Sequence, residues 1–229
     1  MNAALQLRGI KVEKFLKGDQ GRKIYQGYDK FGHKITIKFS SVYEDVKITT
    51  ISLWRLLIST YPEYFVPFWD YFEINNQYVF IMPYIEGICV CDIINSTDLD
   101  FKWKIIGEIL QTMIRLADIN VVHGDINVGN FIWNGKHAVL VDMTGLIPST
   151  QESSTGEILN VRTIIYQLAS SSMEDSEITW SEDIKLPDHL ISEVTQNFIK
   201  VGWDNNRLQR LINMMYAFSL NYLLSQYQD

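Results

Sequence analysis

The stretch Lys34-Ile-Thr-Ile-Lys38-Phe39 alternates polar and apolar positions and is rich in β-branched residues, which predicts a half-buried strand. Tyr78-Val-Phe-Ile-Met82 is more fully apolar and predicts a second strand, entered from a turn at Asn75-Asn76. Gly18, Gly21 and Gly27 punctuate an earlier hairpin-like stretch. One helix interrupts this region over 45–60, where Val46, Ile48, Ile51, Leu53, Leu56, Leu57 and Ile58 recur and Pro62 ends the run. After Gly87 the period lengthens. Ile105, Ile109, Met113 and Leu116 predict an amphipathic helix over 101–118. Phe131-Ile-Trp133 and Ala138-Val-Leu-Val141 predict two short strands around a loop. Helices are expected over 158–168 and in two or three segments within 190–227, with loops through the 150s and 171–187. The pattern is that of an α+β protein. It reads as one domain over 1–229, with a strand-rich lobe at 1–83, a hinge at 83–87 and a mostly helical lobe at 88–229.

Composition narrows the function classes. Lys and Arg number 20 against 27 Asp and Glu, a net charge of −7, which argues against a general binder of nucleic acid or anionic membrane. No apolar run approaches the roughly 18 residues a membrane span needs. The N-terminus lacks the basic start and apolar core of a cleaved signal. Cys89 and Cys91, in Cys-Val-Cys, read as two reduced, partly buried thiols and favour a reducing compartment. A soluble cytoplasmic monomer is expected.

The residues that carry chemistry are concentrated in two runs. Val122-His123-Gly124-Asp125-Ile126-Asn127-Val128-Gly129-Asn130-Phe131 is followed by Leu140-Val141-Asp142-Met143-Thr144-Gly145. An Asp and an Asn five apart in a loop, then a second Asp just after an apolar strand, can converge on one polar spot. Phosphoryl transfer needs such a spot, because oxygen ligands hold Mg²⁺ while another carboxylate orients or deprotonates the attacking hydroxyl. Lys38 sits in a strand beside Ile37 and Phe39, so its stem is packed while its ammonium can reach phosphate.

His-Gly-Asp-x-x-x-x-Asn resembles the catalytic loop of the protein-kinase superfamily, with Gly where many members have Arg. Val-Asp-Met-Thr-Gly is similar to its metal-binding Asp-Phe-Gly motif. The resemblance implies ATP as donor, Asp125 as catalytic base, and Asn130 and Asp142 as ligands of Mg²⁺ (or Mn²⁺). His123 would then support the loop, and Lys38 would contact the α- and β-phosphates. By the same resemblance Gly18 and Gly21, with Ile24 after them, occupy the place of the phosphate-covering hairpin, although a plain β-turn reads equally well from these residues. Met82 takes the gatekeeper position, and Pro83, Tyr84 and Ile85 the hinge that meets the adenine edge. The departures are specific. The helix over 45–60 has no acid in its middle to pair with Lys38, leaving Glu44 and Asp45 as near candidates. Asp-Met-Thr replaces Asp-Phe-Gly, and only about fifteen residues separate Gly145 from the next expected helix.

Size and reduction resemble the compact eukaryotic-like kinases secreted as effectors by bacterial pathogens. The expectation is therefore a protein Ser/Thr kinase with a truncated activation segment, acting on a protein substrate, including one in a host cell's cytoplasm. The alternatives are a small-molecule phosphotransferase of aminoglycoside or choline type, and a nucleotide-binding pseudokinase.

Overall fold

A computed structural model describes residues 2–18, 22–41, 48–75 and 77–169. A short helix α1 (Asn2–Leu7) leads into the hairpin β1 (Lys11–Gly18) and β2 (Lys23–Tyr28), then β3 (Lys34–Ser41). Helix α2 (Ile48–Thr60) follows, then β4 (Asp70–Ile74) and β5 (Gln77–Pro83). The five strands form one antiparallel sheet in the order β1-β2-β3-β5-β4. Alternation along β3 and β5 separates two cores. Ile35, Ile37, Phe39, Val79 and Ile81 pack with Leu5 and Ile10 on one face. Phe80 and Met82 face the other way and join Trp54 and Leu57 of α2 in the larger core. Trp54 anchors α2 there, its ring 5.4 Å from that of Phe80 and its indole N–H donated to the carbonyl of Val66 at 2.7 Å.

Beyond the sheet come β6 (Ile88–Cys89), the single turn α3 (Val90–Ile93) and the long helix α4 (Leu99–Asp118). Asp98 caps α4 by accepting from the backbone N–H of Phe101. Strand β7 (Val121–Val122) is followed by a 3₁₀ turn (Val128–Asn130), β8 (Phe131–Trp133), β9 (Ala138–Leu140), β10 (Ile147–Pro148) and α5 (Gln151–Ala169). The segment after α2 ties the two regions together: Leu140 donates to Tyr64 at 2.9 Å, and Val66 donates to Leu140 at 3.0 Å. The architecture is a mixed α+β one, sheet-rich first and helical later. No helix among the described residues is long and apolar enough to cross a membrane.

Several expectations need correction. Helix α5 begins at Gln151 rather than 158, because Thr150 and Ser153 cap it reciprocally. The Ser153 N–H donates to Thr150 Oγ1 at 3.1 Å, and the Thr150 N–H donates to Ser153 Oγ at 2.8 Å. The polar run that reads as loop is therefore the start of a helix. Cys89 and Cys91 are joined as a disulfide rather than reduced. The chain passes from β6 into α3 between them, which brings their Cα atoms to 5.2 Å, within bridging range. That removes the thiol argument for a reducing compartment. The helices expected within 190–227 and the loop expected over 171–187 lie outside the described residues.

Candidate active site

Alternation in β3 delivers Lys38 to the site. With Ile37 and Phe39 committed to the outer core, Thr36 and Lys38 face the opposite side, where both line a cleft beneath the sheet. Lys38 is only 2% exposed, yet its ammonium is satisfied: it donates to the carboxylate of Asp142 and, at 3.0 Å, to Thr144 Oγ1. Burial pulls the Lys38 pKa below its usual value, and the Asp142 charge opposes that pull. On the carboxylate, burial alone would raise the pKa. The Lys38 ammonium and the Thr144 hydroxyl, which donates at 2.7 Å, outweigh burial and hold Asp142 well below the usual carboxylate range. Asp142 is thus an anion in the folded protein.

The Asp125 loop is built from β7 outward. Gly124 takes φ +75°, a region costly for residues with a side chain. Gly145 must also be glycine, because a side chain there would run into the carbonyl of His123. The His123 ring is buried with Nε2 on the carbonyl of Asp142, so the two motif runs are bound directly together. Asn130 Nδ2 donates to the Asp125 carbonyl at 2.7 Å, and Asn127 Nδ2 to Asp125 Oδ1 at 3.3 Å. Beneath the loop, the Glu157 carboxylate of α5 accepts from the backbone N–H of His123 at 2.7 Å and of Gly124 at 2.9 Å. Burial raises the Glu157 pKa despite these two donors.

The cleft has a volume of about 320 Å³. Ile24, Val66, Met82, Ile132 and Val141 supply apolar walls, and Lys38, Asn130 and Asp142 supply the polar end. Pro83, Tyr84 and Ile85 line its rim. Pro83 has no N–H, and the Tyr84 N–H is already donated to Lys34 at 3.2 Å. Neither Pro83 nor Tyr84 therefore offers a free backbone donor at this rim. A second cavity of about 210 Å³ adjoins it, lined by Arg22, His123, Asp125, Asp142, Thr144 and Gly145. Asp142 belongs to both.

The structure therefore gathers Lys38, Asp125, His123, Asn130 and Asp142, with Ile24, Met82, Pro83, Tyr84 and Ile85 along the cleft. Gly18 ends β1 opposite Lys23 and is not among the cleft-lining residues, while Gly21 lies outside the described residues, as do Glu44 and Asp45. Several residues were missed, Arg22 of the adjoining cavity among them. Leu16 and Lys17, rather than Gly18, carry the hairpin into the cleft. Thr144 takes part of the pairing role expected of a helix acid, and its place beside Asp142 was the available signal. Glu157 occupies the same helical face as Val161, Ile164 and Leu168, and a carboxylate on an apolar stripe was the clue there.

The sequence model of a family described as lipopolysaccharide core biosynthesis protein (WaaY) matches residues 56–164, somewhat under half of the chain. The matched span runs from within α2 into α5 and includes Asp125, Asn130, Asp142 and Glu157, but not Lys38. The similarity supports the reading of the chain as a kinase-like phosphotransferase, without support for a protein Ser/Thr kinase in particular. It lends no support to the resemblance to secreted effectors.

Proposed function

We propose that this chain is an ATP-dependent phosphotransferase of bilobal, kinase-like fold that phosphorylates a hydroxyl of a sugar. The observation that carries the reading is that Lys38, Asn130 and Asp142 form the polar end of one apolar-walled cleft, while Asp125 faces the adjoining cavity that Asp142 shares. Adenine would enter between Ile24, Met82 and Val141, with its edge towards Pro83 and Ile85. Lys38 would hold the α- and β-phosphates. The donors at Asn130 and Asp142 are an amide oxygen and an ionised carboxylate, which suit a hard cation such as Mg²⁺. Bound there, that ion would neutralise charge on the transferring phosphoryl group.

Asp125 has the position and freedom for base catalysis. Its carboxylate is more than half exposed to the cavity, while its backbone is tied down by Asn130. In the reaction the acceptor hydroxyl gives its proton to Asp125 as its oxygen bonds to the γ-phosphorus. The bond from that phosphorus to the β,γ-bridging oxygen breaks, and its electron pair leaves with ADP.

The acceptor class rests on two supports. The matching family is described as a lipopolysaccharide core biosynthesis protein, and that core is built of sugars. The segment from Gly145 turns directly back to pair β10 with β7 and enters α5 at Gln151, which leaves little chain for a peptide-docking platform there. ATP as the donor fits a cytoplasmic location. The test is transfer from γ-labelled ATP to a lipopolysaccharide core oligosaccharide. Labelling of the oligosaccharide that disappears in Asp125→Ala supports the reading, and undiminished labelling in that variant refutes the role of Asp125.

A further inference from the structure

The first 41 residues hold nine Lys or Arg against three Asp or Glu, the reverse of the whole chain's balance. Three of these cations converge on the cleft. Lys38 lies at its inner end and Lys17 lines its wall. Arg22 lines the adjoining cavity with Asp125 and Asp142. The charges of Arg22 and Lys17 are both close enough to disfavour the Lys38 ammonium. A phosphate chain entering here would meet all three positive charges. The hairpin that presents the outer two is held over the cleft by a direct contact, since Lys17 Nζ donates to the carbonyl of Gly129 at 3.0 Å, next to Asn130. On the facing strand Arg22 precedes Lys23, the register partner of Gly18, so the guanidinium is carried at the tip end of the hairpin.

We infer that Arg22 is a phosphate-binding residue for the terminal, transferable phosphate of ATP, which it meets at the cavity shared with Asp125. The inference rests on the phosphotransferase reading and adds to it a side-chain contact where the resemblance implied glycine backbone alone. The guanidinium lies 3.8 Å from the Asp125 carboxylate, with both side chains roughly half exposed. So open a pair is weak. A terminal phosphate offers a guanidinium two parallel charge-assisted hydrogen bonds. ATP therefore draws Arg22 from Asp125, which both anchors the phosphate and leaves the base to the acceptor hydroxyl. ADP lacks the group that Arg22 reads and leaves the pair in place.

The experiment is equilibrium binding of ATP and ADP, each with Mg²⁺ and without acceptor, to the unmodified protein and to Arg22→Ala and Arg22→Lys. Arg22→Ala is expected to weaken ATP about tenfold and ADP less than twofold, with Arg22→Lys between, because an ammonium keeps the charge without the fork. Should Arg22→Ala not fold, the comparison is made with Arg22→Lys, which is expected to lose affinity for ATP and not for ADP. Equal weakening of the two nucleotides, or no change in either, overturns the inference while leaving the phosphotransferase reading intact. If the unmodified protein binds neither nucleotide, the phosphotransferase reading falls first and this one with it.

Discussion

Lys38 stands at an interior position of β3 between two apolar neighbours, and its ammonium survives there because Asp142 and Thr144 meet it. In the wider superfamily that the motifs resemble, a helix acid would take part of this role. Here α2 contains no acid from Ile48 to Thr60. The pairing makes Asp142 the residue with the clearest pH signature. Its folded-state pKa lies below that of an unfolded carboxylate near 3.9, so the unfolded chain binds more protons in the window between. The stabilisation is complete above about pH 5 and is lost as pH falls through the folded value. Asp142→Asn leaves Lys38 buried without its anion and is expected to lower stability by about 3 kcal/mol at pH 7. The gap in melting temperature between the two proteins should narrow as pH is lowered from 6 to 3. A gap that stays constant over that range would mean that Asp142 is not held low. Activity of Asp142→Asn should fall at least a hundredfold, measured as ATP-dependent phosphate transfer.

Among the elements, β3, β5 and α4 were legible because their hydrophobic period is unbroken and each buries one clean face. The start of α5 was not, since its first turn is written in Ser, Thr and Glu, which favour loops in the absence of the Thr150–Ser153 pairing. Its most useful residue was hidden for the same reason. Glu157 holds the Asp125 loop from below through two backbone N–H groups, and so acts as a positioning residue. Glu157→Gln can keep one oxygen acceptor but turns an N–H₂ group towards a donor. The expected cost is about 2 kcal/mol of stability. Turnover is expected to drop about tenfold with little change in KM for ATP, because the nucleotide cleft is formed elsewhere. Equal loss in KM and turnover would place Glu157's effect in the cleft rather than the loop.

At the scale of the whole molecule, the sequence motifs specified phosphotransfer chemistry more sharply than they specified its target. Asp125, Asn130 and Asp142 stand at the spacing of a recognisable motif, whereas an acceptor is chosen by surfaces that no short motif encodes. Overall charge was equally uninformative, because a net −7 conceals a basic N-terminal region, three of whose cations line the cleft and its adjoining cavity. The short return from Gly145 through β10 to α5 is one of the two supports for the proposed sugar acceptor. Grafting is not needed to examine this, since both acceptor classes can be offered to the same enzyme. The most direct measurement incubates the purified protein with γ-labelled ATP and Mg²⁺, in one arm with a lipopolysaccharide core oligosaccharide and in the other with a total protein extract, each beside Asp125→Ala. Label on the oligosaccharide alone, absent from the variant, is the predicted result. Label on discrete protein bands, lost in the variant, with the oligosaccharide unlabelled, would contradict the assignment of a sugar acceptor.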